Sequence, residues 1–405
     1  MELAALFLRL GATAFGGPAA HVSMMEQEVV TRRAWMTRGE FVDLLGATNL
    51  APGPNSTKLA LFIGYARGGW PGFWLAGLGF VLPATLIVTA FSWTYVRFGS
   101  LPALPHFFEG IKPVVLALIV QALVSLGRAA VKSRFLFVLG LAALIAAFYV
   151  NEILLLVVSG CVSVGVMAIK DLLRKEEGAA SAQAAPNLTS GADAEGPTRS
   201  EPRAADALVP PEPPSKKSLF LPLSLPLLPA AISSFSLTSL FLFFLKTGAI
   251  LFGSGYVLLA FLKADLVERW HWLTSAQLLD AVAVGQFTPG PLSSTATFIG
   301  YVLGGLPGAA VATLGIFLPA FAFVALTAPF VHRLRRSRPL GAFLDGVNVA
   351  ALALMGSVTL QLARPALSNG PTVALFLVAV ATLAAVRVNA VWLVLAGGFL
   401  GIVFG

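Results

Sequence analysis

One cysteine, Cys161, stands in 405 residues, which excludes an intrachain disulfide and a multi-cysteine metal site. Charge is scarce as well. The 27 Lys and Arg with 19 Asp and Glu make 11% of the chain, where a soluble protein carries about 25%. Too few polar residues remain to cover a soluble core, so an ordinary soluble enzyme is excluded, and a chain that is 57% apolar is not disordered. The four histidines (His21, His106, His271 and His332) are scattered without metal-ligand spacing. There is no phosphate-cradling glycine loop, which excludes an ATPase of that type, and no Ser/His/Asp arrangement. No enzyme activity, cofactor or metal is expected. The net charge of +8 comes without a basic run interleaved with aromatics, so no nucleic-acid partner is expected. The start, Met1 to Phe7, lacks a basic segment and a cleavage site; it reads as a first membrane helix, not a cleaved signal peptide.

What the chain has is apolar length. Its mean hydropathy of +0.84 and its long apolar runs predict an all-α polytopic membrane protein in contact with the lipid bilayer. One stretch departs from this. Asp171 to Ser218 contains seven prolines and no aromatic residue, and it cannot bury enough apolar area to offset its ordering entropy. The expected organisation is a first transmembrane repeat at 1–170, a disordered cytoplasmic linker at 171–218 and a second repeat at 219–405.

The two apolar parts are copies. Trp35, Thr37, Asp43 and Pro52-Gly53-Pro54 recur 237 residues later as Trp272, Thr274, Asp280 and Pro289-Gly290-Pro291. After a one-residue gap the offset is 236: Ile63-Gly64-Tyr65 recurs as Ile299-Gly300-Tyr301, and Leu82-Pro83-Ala84 as Leu318-Pro319-Ala320. Duplicated halves of this kind are typical of secondary transporters.

The run 41–66 is broken by Pro52-Gly53-Pro54 into pieces of about a dozen residues, each about 18 Å long and short of a bilayer core of about 30 Å. The segment and its copy at 278–301 are either crossing helices with a break or re-entrant hairpins. Loop charge favours the hairpins. Leaving out Arg9, Lys58, Arg199, Arg203 and Lys246, 22 of the 27 cations remain. With two re-entrant segments they divide 17 on the linker side against 5 on the other (Arg97, Lys112, Lys263, Arg269 and Arg364), as the positive-inside rule requires. Each repeat then has about five spans plus a broken or re-entrant helix. An odd count inverts the second repeat relative to the first. Leu219–Ile232 is read as interfacial.

Irregular backbone at membrane depth is tolerated where it is buried in protein or lines a cavity. Half-helices starting after Pro54 and Pro291 would aim free N–H groups and a positive dipole end inward, a ready anion site. Ser56, Thr57, Ser293 and Ser294 lie in their first turns. Arg9 and Lys246 are matched cations in the first helix of each repeat, and Lys58 is a third intramembrane cation. Gly16, Gly17 and Gly253 mark helix breaks that permit close backbone approach. The candidate anion path is therefore Arg9, Gly16, Gly17, Pro52, Gly53, Pro54, Ser56, Thr57, Lys58, Lys246, Gly253, Pro289, Gly290, Pro291, Ser293 and Ser294. Asp43 and Asp280 are candidates for proton coupling, with counter-ion roles as the alternative. His21, Glu26 and Glu28 read as a solvated loop.

Phe15-Gly16-Gly17-Pro18, Ala51-Pro52-Gly53-Pro54, Thr288-Pro289-Gly290-Pro291 and the duplicated layout resemble the chromate ion transporter family over about 3–168 and 238–404. The resemblance implies a bacterial inner-membrane protein that exports chromate by the proton-motive force and gives chromate resistance, with repeats of opposite topology. Gly255 stands where the first motif has Pro18. Chromate and sulfate are tetrahedral dianions presenting the same acceptor oxygens, so the residues alone read as a small inorganic oxyanion site, with sulfate the alternative substrate. Readings from other classes are a membrane scaffold or lipid-handling protein, and a channel. A homodimer is the expected assembly if there is one.

Overall fold

A matched pair of capping boxes starts the same helix in each repeat. The Thr37 hydroxyl accepts from the Glu40 N–H while the Glu40 side chain accepts from the Thr37 N–H; Thr274 and Gln277 repeat the arrangement. The computed structural model describes residues 2–15, 17–49, 51–99, 103–183, 235–251, 255–330, 338–386 and 388–404. Among these residues there is no strand.

The first repeat comprises α1 (Glu2–Thr13), α2 (Gly17–Glu26, continuing as a π-helix over Gln27–Arg32), α3 (Arg38–Thr48), α4 (Asn55–Phe98), α5 (Ala103–Ala130), α6 (Arg134–Ala146) and α7 (Glu152–Gln183). The second comprises α8 (Leu237–Ile250), α9 (Leu258–Phe261, continuing as a π-helix over Leu262–Arg269), α10 (Ser275–Phe287), α11 (Thr295–Thr327), α12 (Arg338–Ala366), α13 (Gly370–Ala385) and α14 (Ala390–Phe404). Among the described residues, five helical stretches are long and apolar enough to cross a membrane: Asn55–Phe98, Pro105–Ala130, Glu152–Leu173, Leu292–Thr327 and Pro339–Ala366. The protein is an all-α polytopic membrane protein.

Neither α4 nor α11 is a single rod. Gly68-Gly69 and Gly304-Gly305 leave helical geometry, with Gly69 and Gly305 at φ 57° and 62°. The chain doubles back there. A Cβ added at Gly64 would lie 2.3 Å from the Gly72 carbonyl oxygen, and one at Gly300 would lie 2.3 Å from that of Gly308. Each of these helices is therefore a hairpin of a short arm and a long arm, closed by glycine-to-glycine contact.

These hairpins decide between crossing and re-entrance. At one face of the bundle the Arg67 guanidinium, at the end of the short arm of α4, stacks 5.4 Å from the ring of Trp35, which precedes α3. Residues 38–67 thus enter and leave on one face, with Pro52-Gly53-Pro54 at the deep tip. In the second repeat Phe235 stacks on Trp272 at 5.3 Å and also borders Gly304, so 275–303 is re-entrant too.

The equivalent helices run antiparallel. Phe73, early in the long arm of α4, meets Phe321, late in α11, at 5.8 Å. Lys132, just past α5, pairs with Asp345 near the start of α12 at 2.7 Å. The repeats are inverted, as expected.

The first helices are shorter than expected. At 12 and 14 residues, α1 and α8 reach about 18–21 Å, so the first membrane helix expected of each repeat does not cross, and the inversion rests on the antiparallel contacts above instead of on an odd count of crossings. α2 then turns back along α1, bringing Glu28 within 2.7 Å of Arg9; in the second repeat Asp265 lies 2.7 Å from Lys246. α7 continues past Asp171 to Gln183, so the beginning of the expected 171–218 linker is helical. The rest of it, and Leu219–Ile232, lies outside the described residues. The chain forms two compact units, Met1–Ala168 with Ile232–Gly405, and Ile169–Ala231.

Candidate functional site

The two Pro-Gly-Pro tips are each bonded to the opposite repeat. The Gly53 N–H donates to the Leu251 carbonyl at the end of α8 (2.7 Å), and the Gly290 N–H donates to the Ala14 carbonyl at the end of α1 (2.9 Å). Residues 14 and 251 occupy equivalent places at the offset of 237, so a pseudo-two-fold relates the bonds. Both glycines have positive φ, +103° and +89°. A Cβ at Gly53 would lie 2.6 Å from the Ala320 Cβ, and one at Gly290 would lie 2.4 Å from that of Ala84. Only glycine permits both the turn and the approach.

Beyond each tip a short helical arm begins with its first N–H groups unspent by the helix. In the first repeat Pro54 caps α4, and Ser56, Thr57 and Lys58 are all buried. In the second, Pro291 caps a 3₁₀ turn, Leu292–Ser294, which leads into α11, and Ser293 and Ser294 are buried. Thr57 Oγ1, Ser293 Oγ and Ser294 Oγ have no hydrogen-bond partner in the structure. Buried hydroxyls of this kind are open to a ligand. Lys58 is fully buried and donates from Nζ to the Ala51 carbonyl; among the described residues it forms no ion pair. A lysine without a carboxylate partner thus sits one turn inside a helix N-terminus.

His21 belongs to this group, although it reads as loop in the sequence. It is 1% exposed, with Nδ1 3.0 Å from Ser56 Oγ and Nε2 3.0 Å from the Ala14 carbonyl oxygen. Its ring meets Phe80 edge-on at 5.6 Å. The second repeat has Leu258 at this position.

The other candidates lie elsewhere. Arg9 and Lys246 face the returning helices, not the tips. Arg9, Arg32 and Arg33 converge on Glu28, and Lys246 and Arg269 on Asp265. Glu28 is buried, which corrects its reading as solvated loop; the apolar helix packed over it removes water, and three guanidiniums replace that water. Glu28 and Asp265 recur at the 237 offset, as do Arg32 and Arg269, and that was the signal that would have found them. Asp280 is buried on α10, accepting from the Tyr95 hydroxyl at 3.0 Å with Lys112 Nζ 3.9 Å away. Asp43, its counterpart on α3, is half-buried. Asn348 stands where the second repeat needs a lysine to match Lys112, so the two carboxylates have different surroundings. Gly17 starts α2 at φ 76°. Gly16 and Gly253 lie outside the described residues.

Two cavities border the tips. One of about 280 Å3 is lined by Asn49, Asn55, Asn348, Lys132 and Asp345 and ends at the start of α4. The other, about 480 Å3, is apolar, lined by Phe15, Phe91, Tyr95, Phe107 and Phe287, and ends at Pro289.

The family model described as chromate transporter matches residues 1–166 and 238–402. A chromate transport protein of Cupriavidus metallidurans is 33% identical over 385 residues, covering 94% of this chain and 87% of its own. A probable chromate transport protein of Synechococcus elongatus is 33% identical over 388 residues, 93% and 88% of the two chains. A chromate transport protein of Pseudomonas aeruginosa is 31% identical over 408 residues, 99% and 91%. No solved structure matches.

Proposed function

Because the chain belongs to the chromate transporter family, we propose that it exports chromate across the bacterial inner membrane, drawing on the proton-motive force, and so gives chromate resistance. The observation that carries the reading is the start of α4: a half-helix N-terminus locked across the pseudo-two-fold, with Thr57 Oγ1 unpartnered and Lys58 buried without an ion pair. That set supplies backbone donors, a hydroxyl and a positive charge to a tetrahedral dianion. The polar cavity, lined by Asn49, Asn55 and Lys132, supplies an approach to that half-helix. An interior-negative potential favours exit of a dianion by about 4.6 kcal/mol per 100 mV, two charges at about 2.3 kcal/mol each. The linker-side excess of cations, 17 against 5, supports a cytoplasmic linker.

Uptake of labelled chromate into everted vesicles tests the reading. Accumulation that depends on the protein and collapses with an uncoupler is the expected result, with raised chromate tolerance in a sensitive host. Flux that rises linearly with chromate and never saturates would make the protein a channel. Sulfate run alongside as a competitor measures how far the site separates two anions of like shape.

A further inference from the structure

We propose that His21 is a positioning residue that couples oxyanion binding at the start of α4 to uptake of one proton. The inference rests on the oxyanion reading of that site. The Ala14 carbonyl can only accept, so His21 Nε2, 3.0 Å away, carries a hydrogen. In the neutral ring Nδ1 is then an acceptor, and Ser56, 3.0 Å away, spends its O–H on it. Ser56 in that state offers an anion only lone pairs. A proton on Nδ1 reverses the bond. Nδ1–H donates to Ser56 Oγ, and the Ser56 O–H is released to donate to the anion. The same proton places a positive charge beside it. Both changes favour the anion only when the ring is charged, so by reciprocity a bound anion favours the charged ring.

The surroundings make the coupling large. The ring is 1% exposed, and among the described residues no carboxylate oxygen lies within 4.0 Å of it. The charged groups on the elements packed around it are Lys58, Arg67 and Arg97 on α4, Glu2 and Arg9 on α1, Glu26, Glu28 and Arg32 on its own helix and continuation, and Arg38, Glu40 and Asp43 on α3. Glu28 is held by Arg9, Arg32 and Arg33, Glu26 is paired with Arg38 at 3.2 Å, and Glu40 closes the cap at Thr37. Lys58, with no such partner, opposes a charge on the ring until an anion neutralises it. The Ala14 oxygen that fixes the ring also accepts the Gly290 N–H, so the tautomer is set at the junction of the repeats. With Leu258 in its place, the second repeat lacks the device.

The test is calorimetric titration of the purified full chain with chromate, and separately with sulfate, in two buffers of different ionisation enthalpy. The range is about pH 6 to about pH 8, which takes in the value of a free imidazole. Chromate's own protonation is common to every variant and cancels in the comparison. The wild type is expected to take up a proton on binding, with affinity rising up to about tenfold per unit fall in pH for one linked proton. His21→Gln keeps a donor for the Ala14 oxygen and cannot take the proton, so its extra uptake and its extra pH dependence disappear. Ser56→Ala keeps the ring and the uptake but weakens binding at the acid end. Proton uptake in His21→Gln equal to wild type, or binding in Ser56→Ala unchanged across the range, overturns the inference while leaving the oxyanion reading intact. A destabilised His21→Gln protein with an unchanged proton count marks a structural role and also overturns it. Absence of binding of either anion by the wild type removes the oxyanion reading, and this inference with it.

Discussion

At the scale of single residues, charge type matters less than whether the charge is already spent. Arg9 and Lys246 carry the cation signature that a membrane sequence offers, yet each is held by a carboxylate at 2.7 Å and each side chain is part-exposed, 50% and 39%. Lys58 is the contrasting case, buried and without an ion pair. Lys58→Gln is therefore expected to raise the apparent Michaelis constant for chromate. A unit charge beside a partly desolvated dianion is worth about 1–3 kcal/mol, roughly a 5- to 150-fold change. Arg9→Gln and Lys246→Gln should stay within about twofold of wild type on the same argument. Transport kinetics of the three variants decide it, and equal losses in all three would return Arg9 and Lys246 to the anion path. Glu28→Gln should cost more than Arg9→Gln in membrane abundance and thermal stability. It leaves three guanidiniums facing one another, at on the order of 1–3 kcal/mol given their partial exposure. The tips are a separate matter: Gly53→Ala and Gly290→Ala each meet a backbone at positive φ and a methyl group within 2.6 Å, so both should abolish transport.

At the scale of elements, the fold is a set of hairpins in which depth, not length, was hard to read. The re-entrant segments at 41–66 and 278–301 were legible because two prolines and a glycine in an apolar run leave pieces too short to cross, and because loop cations then gather on one side, 17 against 5. The half-length of α1 and α8 was not legible. A largely apolar run of about fourteen residues that ends near a glycine break reads equally as a full span with a kink, and the returning helix shows itself only through the contacts of Glu28 and Asp265. The glycine bends at 68–69 and 304–305 were hidden for the same reason, since glycine inside an apolar run is common in membrane helices. His21 was missed because a lone histidine after a helix break carries no pattern, and its two partners come from α1 and α4. The inverted arrangement itself predicts accessibility. In a Cys161→Ser background, Arg33→Cys is expected to label only after permeabilisation and Arg269→Cys without it. Equal protection of the two would contradict the antiparallel pairing of α4 with α11 and of α5 with α12.

At the scale of the whole molecule, each repeat completes the other. α5 of the first repeat packs on α13 and α14 of the second, and α12 of the second packs on α6 of the first. The approach is backbone-close: a Cβ at Gly110 would lie 2.1 Å from the Gly397 carbonyl oxygen, and one at Gly346 would lie 2.3 Å from that of Ser159. The tips follow the same rule, since the acceptor for each glycine N–H belongs to the other repeat. Neither repeat alone can satisfy these buried N–H groups or cover these helix faces, and an unsatisfied group in lipid costs several kcal/mol. Residues 1–183 and 235–405 expressed separately are therefore expected to be degraded, and co-expressed to accumulate together in the membrane. In the co-expressed pair, Gly110→Leu should block assembly as effectively as Gly346→Leu, because the two contacts are equivalent under the pseudo-two-fold. Membrane abundance of tagged halves measures this. Stable accumulation of either half alone would mean that the exchange of α5 and α12 between repeats is not what holds the bundle together.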